Sequence, residues 1–161
     1  MPYEMKVDGM AEISRTLDQL GEKAEATASR ALYKGAGIMA QKLKEGAESI
    51  RTAPFKFARQ GETRLPSPEE KEVILSAGGI GVARFKKNGG DVDTSVGYGN
   101  TGYADLNGKR VPIPLIANSI NSGTSFMPKQ PFVRKAANSG GKEALQAMKE
   151  SIEADFNAIT K

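Results

Sequence analysis

The stretch Gly123 to Ala136, GTSFMPKQPFVRKA, decides how the rest of the chain is to be read. It joins a Gly-Thr-Ser turn to Pro128, then to Gln130-Pro131-Phe132, and then to a run with helical character. Proline fixes φ near the helical value and lacks the N–H that a first helical turn leaves unpaired, so Pro131 is suited to open a helix. The residue before a proline is driven towards extended backbone, which makes Gln130 part of a loop-to-helix corner. Phe126, Met127, Phe132 and Val133 crowd apolar surface around that corner. They must bury against this chain or against a neighbour.

Downstream of the corner, Ala136, Ala137, Ala144, Leu145, Met148, Ile152, Phe156 and Ile159 keep helical spacing, and Ser139-Gly140-Gly141 predicts a break or kink. Upstream, a short helix from about Leu115 to Ser122 would turn Leu115, Ile116, Ala117 and Ile120 inward. The stretch before it, about 99–115, reads as irregular: Gly99, Gly102 and Gly108 form turns, while Pro112 and Pro114 bar a central strand. Three strands are expected at Glu72–Ala77, Ile80–Lys87 and Asp91–Gly99. The glycine joints Gly78-Gly79 and Asn88-Gly89-Gly90 would fold them into an antiparallel meander.

The N-terminal third is helical in pattern. Met10, Ile13, Leu17 and Leu20 follow a 3-4-3 spacing in a helix capped near Asp8, and Gly21 is expected to end or bend it. A second helix is expected from Glu22 to about Ile50, with a stripe through Ala24, Ala28, Ala31, Leu32, Gly35, Ile38, Met39 and Leu43. Ala31, Gly35, Ala36 and Gly37 are small enough to let another element approach closely. Ala53-Pro54 stops this helix, and Gly61, Pro66 and Pro68 leave 51–71 a long loop. Its distinctive cluster is Phe55 and Phe57 with Lys56, Arg59 and Arg64, a set suited to docking on a core or neighbour, or to stacking bases. The fold class is therefore α+β: long N- and C-terminal helices packed on a small antiparallel meander, with long loops.

Composition narrows the chemistry. At 161 residues the chain has the length of one domain, and 39% hydrophobic content with 6% aromatics and no Trp predicts a thin core. There is no Cys and no His, which excludes disulfides, thiolate nucleophiles, the usual zinc sites and every imidazole acid–base pair. No segment has the length and apolarity of a membrane span or signal peptide, so a non-membrane protein made in the cytoplasm is expected. The net charge of +4 is spread thinly: 7 basic and 8 acidic residues over 1–50, 5 and 3 over 51–71, 5 and 4 over 72–115, and 6 and 4 over 116–161. A phosphate-tracking surface would concentrate its cations on one face.

Each possible reactive cluster has a plainer reading. Asp91 and Asp93, two apart on a strand, share a face and would suit either a metal or a solvated edge. Glu69, Glu70, Lys71 and Glu72 form a solvated charge cluster. Ser122, Thr124 and Ser125 lack a base and suit turn hydrogen bonding. Gly78 to Ala83, GGIGVA, lacks the Gly-Lys-Ser/Thr of a phosphate loop. No nucleophile, base and oxyanion donor assemble, so no enzyme, cofactor or metal is expected.

The order of elements, with Val7-Asp8-Gly9, Ala31-Leu32, Gly35-Ala36, Ala53-Pro54 and above all Gly123-Thr124-Ser125, Pro128, Gln130-Pro131-Phe132, Arg134 and Ala136, resembles the tail-component family of Hong Kong-type lambdoid siphophages. These are the head–tail joining or tail-completion (neck) proteins, and the resemblance covers most of the chain. It implies a structural virion subunit, made in the host bacterial cytoplasm, that forms a probable-hexamer type of ring between head-closure proteins and the tail terminator or tail tube. DNA would pass through such a ring non-specifically. Gly123, Thr124, Phe126, Met127, Pro128, Gln130, Pro131, Phe132 and Arg134 are then candidate subunit-interface residues, with Phe55, Phe57, Arg59 and Arg64 as candidate loop contacts. The alternative is a DNA-binding accessory protein using the basic loop.

Overall fold

The first element is one helix where two are expected. In the computed structural model, which describes residues 10–76, 80–88, 91–98 and 102–161, helix α1 runs Met10–Glu48 without ending at Gly21. A single helical glycine costs about 1 kcal/mol relative to Ala, too little to stop a helix whose neighbours all favour it. The expected cap at Asp8, the joints at Gly78-Gly79 and Gly89-Gly90, and Gly99 lie outside the described residues.

The expected strand at Glu72–Ala77 is instead the helix α2, Pro68–Leu75. Local capping decides this against the β-propensity of Val73 and Ile74. Ser67 accepts from the Glu70 N–H at 3.2 Å, and Glu70 accepts from the Ser67 N–H at 2.8 Å, a complete capping box with Pro68 in the first turn. The loop before it thus ends at Ser67, and Ala53 N–H donates to the Pro66 carbonyl at 3.0 Å to pin its two arms together.

The next two expected strands form one long antiparallel ribbon, interrupted midway. Strand β1 (Ile80–Val82) pairs with β4 (Val96–Tyr98), and β2 (Lys86–Asn88) with β3 (Asp91–Asp93). Three residues, Ala83 to Phe85, oppose only Thr94 and Ser95, so the ribbon bulges there. The Ala83 N–H donates to Ser95 and the Thr94 hydroxyl to the Ala83 carbonyl, which satisfies the backbone at the interruption.

The region expected to be irregular contains a second hairpin, β5 (Tyr103–Leu106) with β6 (Lys109–Pro112). Asn107 and Gly108 both have positive φ, 50° and 76°, as a two-residue hairpin loop requires. Pro112 sits at the end of a two-stranded ribbon and caps α3, Ile113–Ser122, where its missing N–H does no harm. In α3 it is Ile113, Ile116, Ala117 and Ile120 that are buried; Leu115, expected inside, is exposed.

Helix α4, Phe132–Thr160, continues through Ser139-Gly140-Gly141 without the expected break. It lies antiparallel along α1: Gly46 meets Phe132 and Ala136, Gly140 meets Lys42 and Met39, Gly35 meets Met148, and Arg30 pairs with Asp155. A Cβ at Gly46 would stand 3.0 Å from the Phe132 carbonyl oxygen, so this glycine sets the close approach of the two helices. Gly37 faces open space and has no such role. The α+β class and the packing of the long terminal helices hold, with the helix α2 in place of the meander's first strand.

The core gathers at one end of this helix pair. Leu43, Ala47 and Ile50 of α1, Ile74 of α2, Ile116, Ala117 and Ile120 of α3, and Met127, Phe132 and Ala136 form one buried cluster. Ile80, Val96 and Tyr98 of the ribbon and Ala104, Leu106 and Val111 of the second hairpin pack against it.

Candidate functional site

The corner between α3 and α4 is built by backbone geometry that its sequence demands. Gly123 ends α3 with φ 77°, a left-handed conformation, and donates to the Ser119 carbonyl at 3.0 Å. Thr124 and Met127 close a tight turn: Thr124 N–H donates to the Met127 carbonyl, and the Thr124 hydroxyl accepts from the Met127 N–H at 3.1 Å. Gln130 N–H then donates back to Ile120 at 2.9 Å.

Pro131 is not the first helical residue. With φ −78° and ψ 62° it is the centre of an inverse γ-turn, and the Phe132 N–H donates across it to the Gln130 carbonyl at 2.8 Å. Helix α4 therefore begins at Phe132, and its next free N–H, that of Val133, is met by the Asn121 side chain at 3.2 Å. The cap comes from the preceding helix rather than from the corner itself.

Gln130 ties the corner to the end of α1. Its carboxamide accepts from the Arg51 N–H at 2.9 Å and donates to the Arg51 carbonyl at 3.1 Å, as a neighbouring strand residue would. Met127 and Phe132 are buried in the chain's own core, and Tyr98 meets the Phe132 ring edge-on at 6.3 Å. These two side chains are thus occupied within the chain. Of the candidate interface residues, Phe126, Pro128 and Arg134 remain exposed.

Arg64 joins the long loop to the corner. Its N–H donates to the Phe126 carbonyl at 2.7 Å, and its guanidinium makes a two-pronged pair with Glu70 at 2.8 and 2.7 Å. The same guanidinium lies 5.1 Å from the centre of the Phe55 ring and 5.7 Å from that of Phe126. Burial works against the Glu70 carboxylate, but hydrogen bonds from Arg64 and the Ser67 N–H, with the Arg64 charge, outweigh it and hold the carboxyl below its usual range. Hydrogen bonding to Glu70 correspondingly raises the Arg64 guanidinium against the effect of burial. Glu70, expected in a solvated cluster, is therefore the buried partner of Arg64 and the cap of α2.

An open groove of about 300 Å³ lies beside this pair. Phe55, Phe57, Leu106, Val111, Leu115 and Phe126 line it, and Arg64 with Glu70 forms its polar side. Phe57 is 84% exposed and packs edge-on against Phe55 at 5.0 Å, while Leu115 is 55% exposed. The groove's charged groups already satisfy one another, so it offers apolar contact area rather than a reactive group. Arg59 stands outside it, at an exposed turn in which Glu62 N–H donates to the Arg59 carbonyl at 2.9 Å.

The structure brings Phe55, Phe57, Arg64 and Phe126 together on this surface. It adds Leu106, Val111 and Leu115, which the sequence reading did not assign to it. The overlooked signal was Asn107-Gly108, whose hairpin swings Leu106 and Val111 beneath the loop. Among the described residues no three His, Cys, Asp or Glu side chains gather to hold a metal ion, and no helix is long and apolar enough to cross a membrane. Comparison of the chain with protein-family models, with curated proteins and with solved structures finds no match.

Proposed function

We propose that this chain is a structural virion subunit that assembles into a ring at the head–tail junction of a tailed phage, completing the tail or joining it to the head around a channel for DNA. The observation that carries the reading is the apolar groove, with Phe57 and Leu115 standing exposed beside a self-satisfied Arg64–Glu70 pair. Contiguous exposed apolar surface of this kind suits a protein–protein contact. The resemblance of the Gly123–Ala136 stretch to the tail-completion proteins supplies the kind of assembly. In this reading the protein is not an enzyme and needs no cofactor. Its neighbours are further copies of itself and the head-closure, tail-terminator or tail-tube proteins.

The engagement of Arg64 by Glu70 weighs against the DNA-binding alternative, because it removes one cation from the loop on which that alternative rests. Electron microscopy of the purified protein and of virions tests the ring. Annular particles, and the protein present in purified virions at the neck, are expected; a persistent monomer absent from virions overturns the proposal. Phe57→Glu combined with Leu115→Glu is expected to abolish assembly while leaving the thermal melt unchanged, because both side chains are exposed in the single chain.

A further inference from the structure

Helix α1 is longer than its partner. The last turns of α4, through Asp155, Ala158 and Ile159, lie against Lys23, Ala26, Thr27 and Arg30. The part of α1 from Met10 to Glu22 therefore extends past α4 by roughly 20 Å at the 1.5 Å rise of an α-helix. Asp18, Gln19, Lys23, Ala24 and Ala26, which point around the whole circumference of the helix, are all exposed. An isolated helical segment of this length is marginal in water and needs packing to persist.

The sequence of this segment is not that of a solvated rod. Met10, Ile13, Leu17, Leu20, Ala24, Ala28, Ala31 and Gly35 recur at alternating steps of three and four. At its C-terminal end this stripe is the seam that receives α4: Ala31 is buried and Gly35 meets Met148. Beyond Lys23 the same stripe continues with larger apolar residues and no α4 beside it. The helix interface is thus continuous in sequence but only half filled by its own chain.

A complementary surface lies at the same end of the molecule. Leu145, Ile152 and Phe156 on α4 are 59%, 46% and 46% exposed and share one face turned away from α1. They were expected inside on spacing alone. Steps of seven and four residues from Leu145 to Phe156 match those from Ile13 through Leu20 to Ala24, and each set covers roughly 16 Å of helix. A chain cannot lay its own rigid arm on that face, because α1 is straightened along another side of α4.

We propose that Met10–Glu22 is an intermolecular arm whose apolar stripe packs on the Leu145–Ile152–Phe156 face of α4 in a second copy of this chain. The contact deepens the ring reading, and rests on it for the presence of several copies, by naming one place where neighbours hold each other. It pairs two different surfaces, so it propagates from copy to copy and closes when the rotation permits.

The absence of cysteine from the sequence makes the test clean. Chains carrying Leu17→Cys are mixed with chains carrying Ile152→Cys under mild oxidation, with Lys44→Cys replacing Ile152→Cys as the control. A disulfide-linked pair is expected from the first mixture well above the control. Separately, Leu17→Glu and Ile152→Glu are each expected to raise the dissociation constant of the oligomer at least about tenfold, with an unchanged melting curve. An oligomer that retains its size in both Glu variants and forms no Leu17–Ile152 link overturns the arm while leaving the ring standing. A wild-type chain that is monomeric at high micromolar concentration overturns both.

Discussion

The two ends of the α1–α4 pair are held together in different ways. At the corner end, Leu43, Ala47, Ile50, Phe132 and Ala136 meet α2, α3 and both hairpins in one buried cluster. At the far end the two helices meet largely through Ala31, Gly35 and Ala144, and the polar groups there are poorly matched. Ser151 is buried with no hydrogen-bond partner for its hydroxyl, and one Asp155 carboxylate oxygen is likewise unpaired. The corner end is a folded domain core, whereas the far end is a helix pair left open for something else. Stability should therefore be concentrated where the corner is, and tolerance where the arm is.

The largest effect that would break this contrast is expected from Phe132→Ala. Removing a fully buried ring from the centre of the core should cost about 3 to 5 kcal/mol, measured by chemical denaturation. A loss below about 1 kcal/mol would show that the corner is not the anchor. Next comes Glu70→Gln, which leaves the Arg64 guanidinium partly buried without its counter-charge. A cost of about 2 kcal/mol is expected, between that of a surface pair and that of a fully buried one. The same variant has a pH signature. The folded chain holds Glu70 below the ordinary carboxyl value, so its contribution is complete above pH 4.5 and is lost as pH falls through the lowered folded value. Wild type should lose stability faster than Glu70→Gln on acidification in that range.

Smaller effects are expected at the far end. Ser151→Ala removes a buried hydroxyl that has nothing to bond, so stability should be unchanged or rise by up to about 1 kcal/mol. A clear loss would mean that the far end is better satisfied than its geometry indicates. Arg30→Ala breaks a 2.6 Å pair whose arginine is mostly exposed, and a cost of a few tenths of a kcal/mol is expected from the melting temperature.

Features fixed by periodicity and turn chemistry were legible from sequence. The helical character of both ends, the inward set of Ile116, Ala117 and Ile120, and the loop-to-helix corner all follow from spacing and from proline and glycine rules. Val73 and Ile74 favoured a strand, but the Ser67–Glu70 capping box outweighed them, and that signal was present as Ser-Pro-Glu-Glu. Gly21 and Gly140-Gly141 read as helix breaks because local propensity says nothing of a partner that exploits small residues; Gly140 is buried against Lys42 and Met39. The surface containing Phe55, Phe57, Arg64 and Phe126 was partly visible as an aromatic and basic cluster. Its other half was not, because the hairpin that completes it lies about fifty residues away in sequence. The exposure of Leu145, Ile152 and Phe156 was also hidden: helical spacing identifies an apolar face without saying whether the same chain covers it.

The antiparallel pairing of α1 with α4 also orders events during synthesis. The first long helix leaves the ribosome with its seam at Ala31, Gly35 and Lys42 uncovered, and its partner residues Gly140, Met148 and Asp155 are among the last to be made. At 5 to 20 residues per second, the wait is on the order of ten seconds. During that interval α1 exposes an apolar stripe from end to end. A nascent chain of this protein is thus a natural client for a ribosome-associated chaperone, and two chains made on one message have time to meet through α1 before either has its own α4.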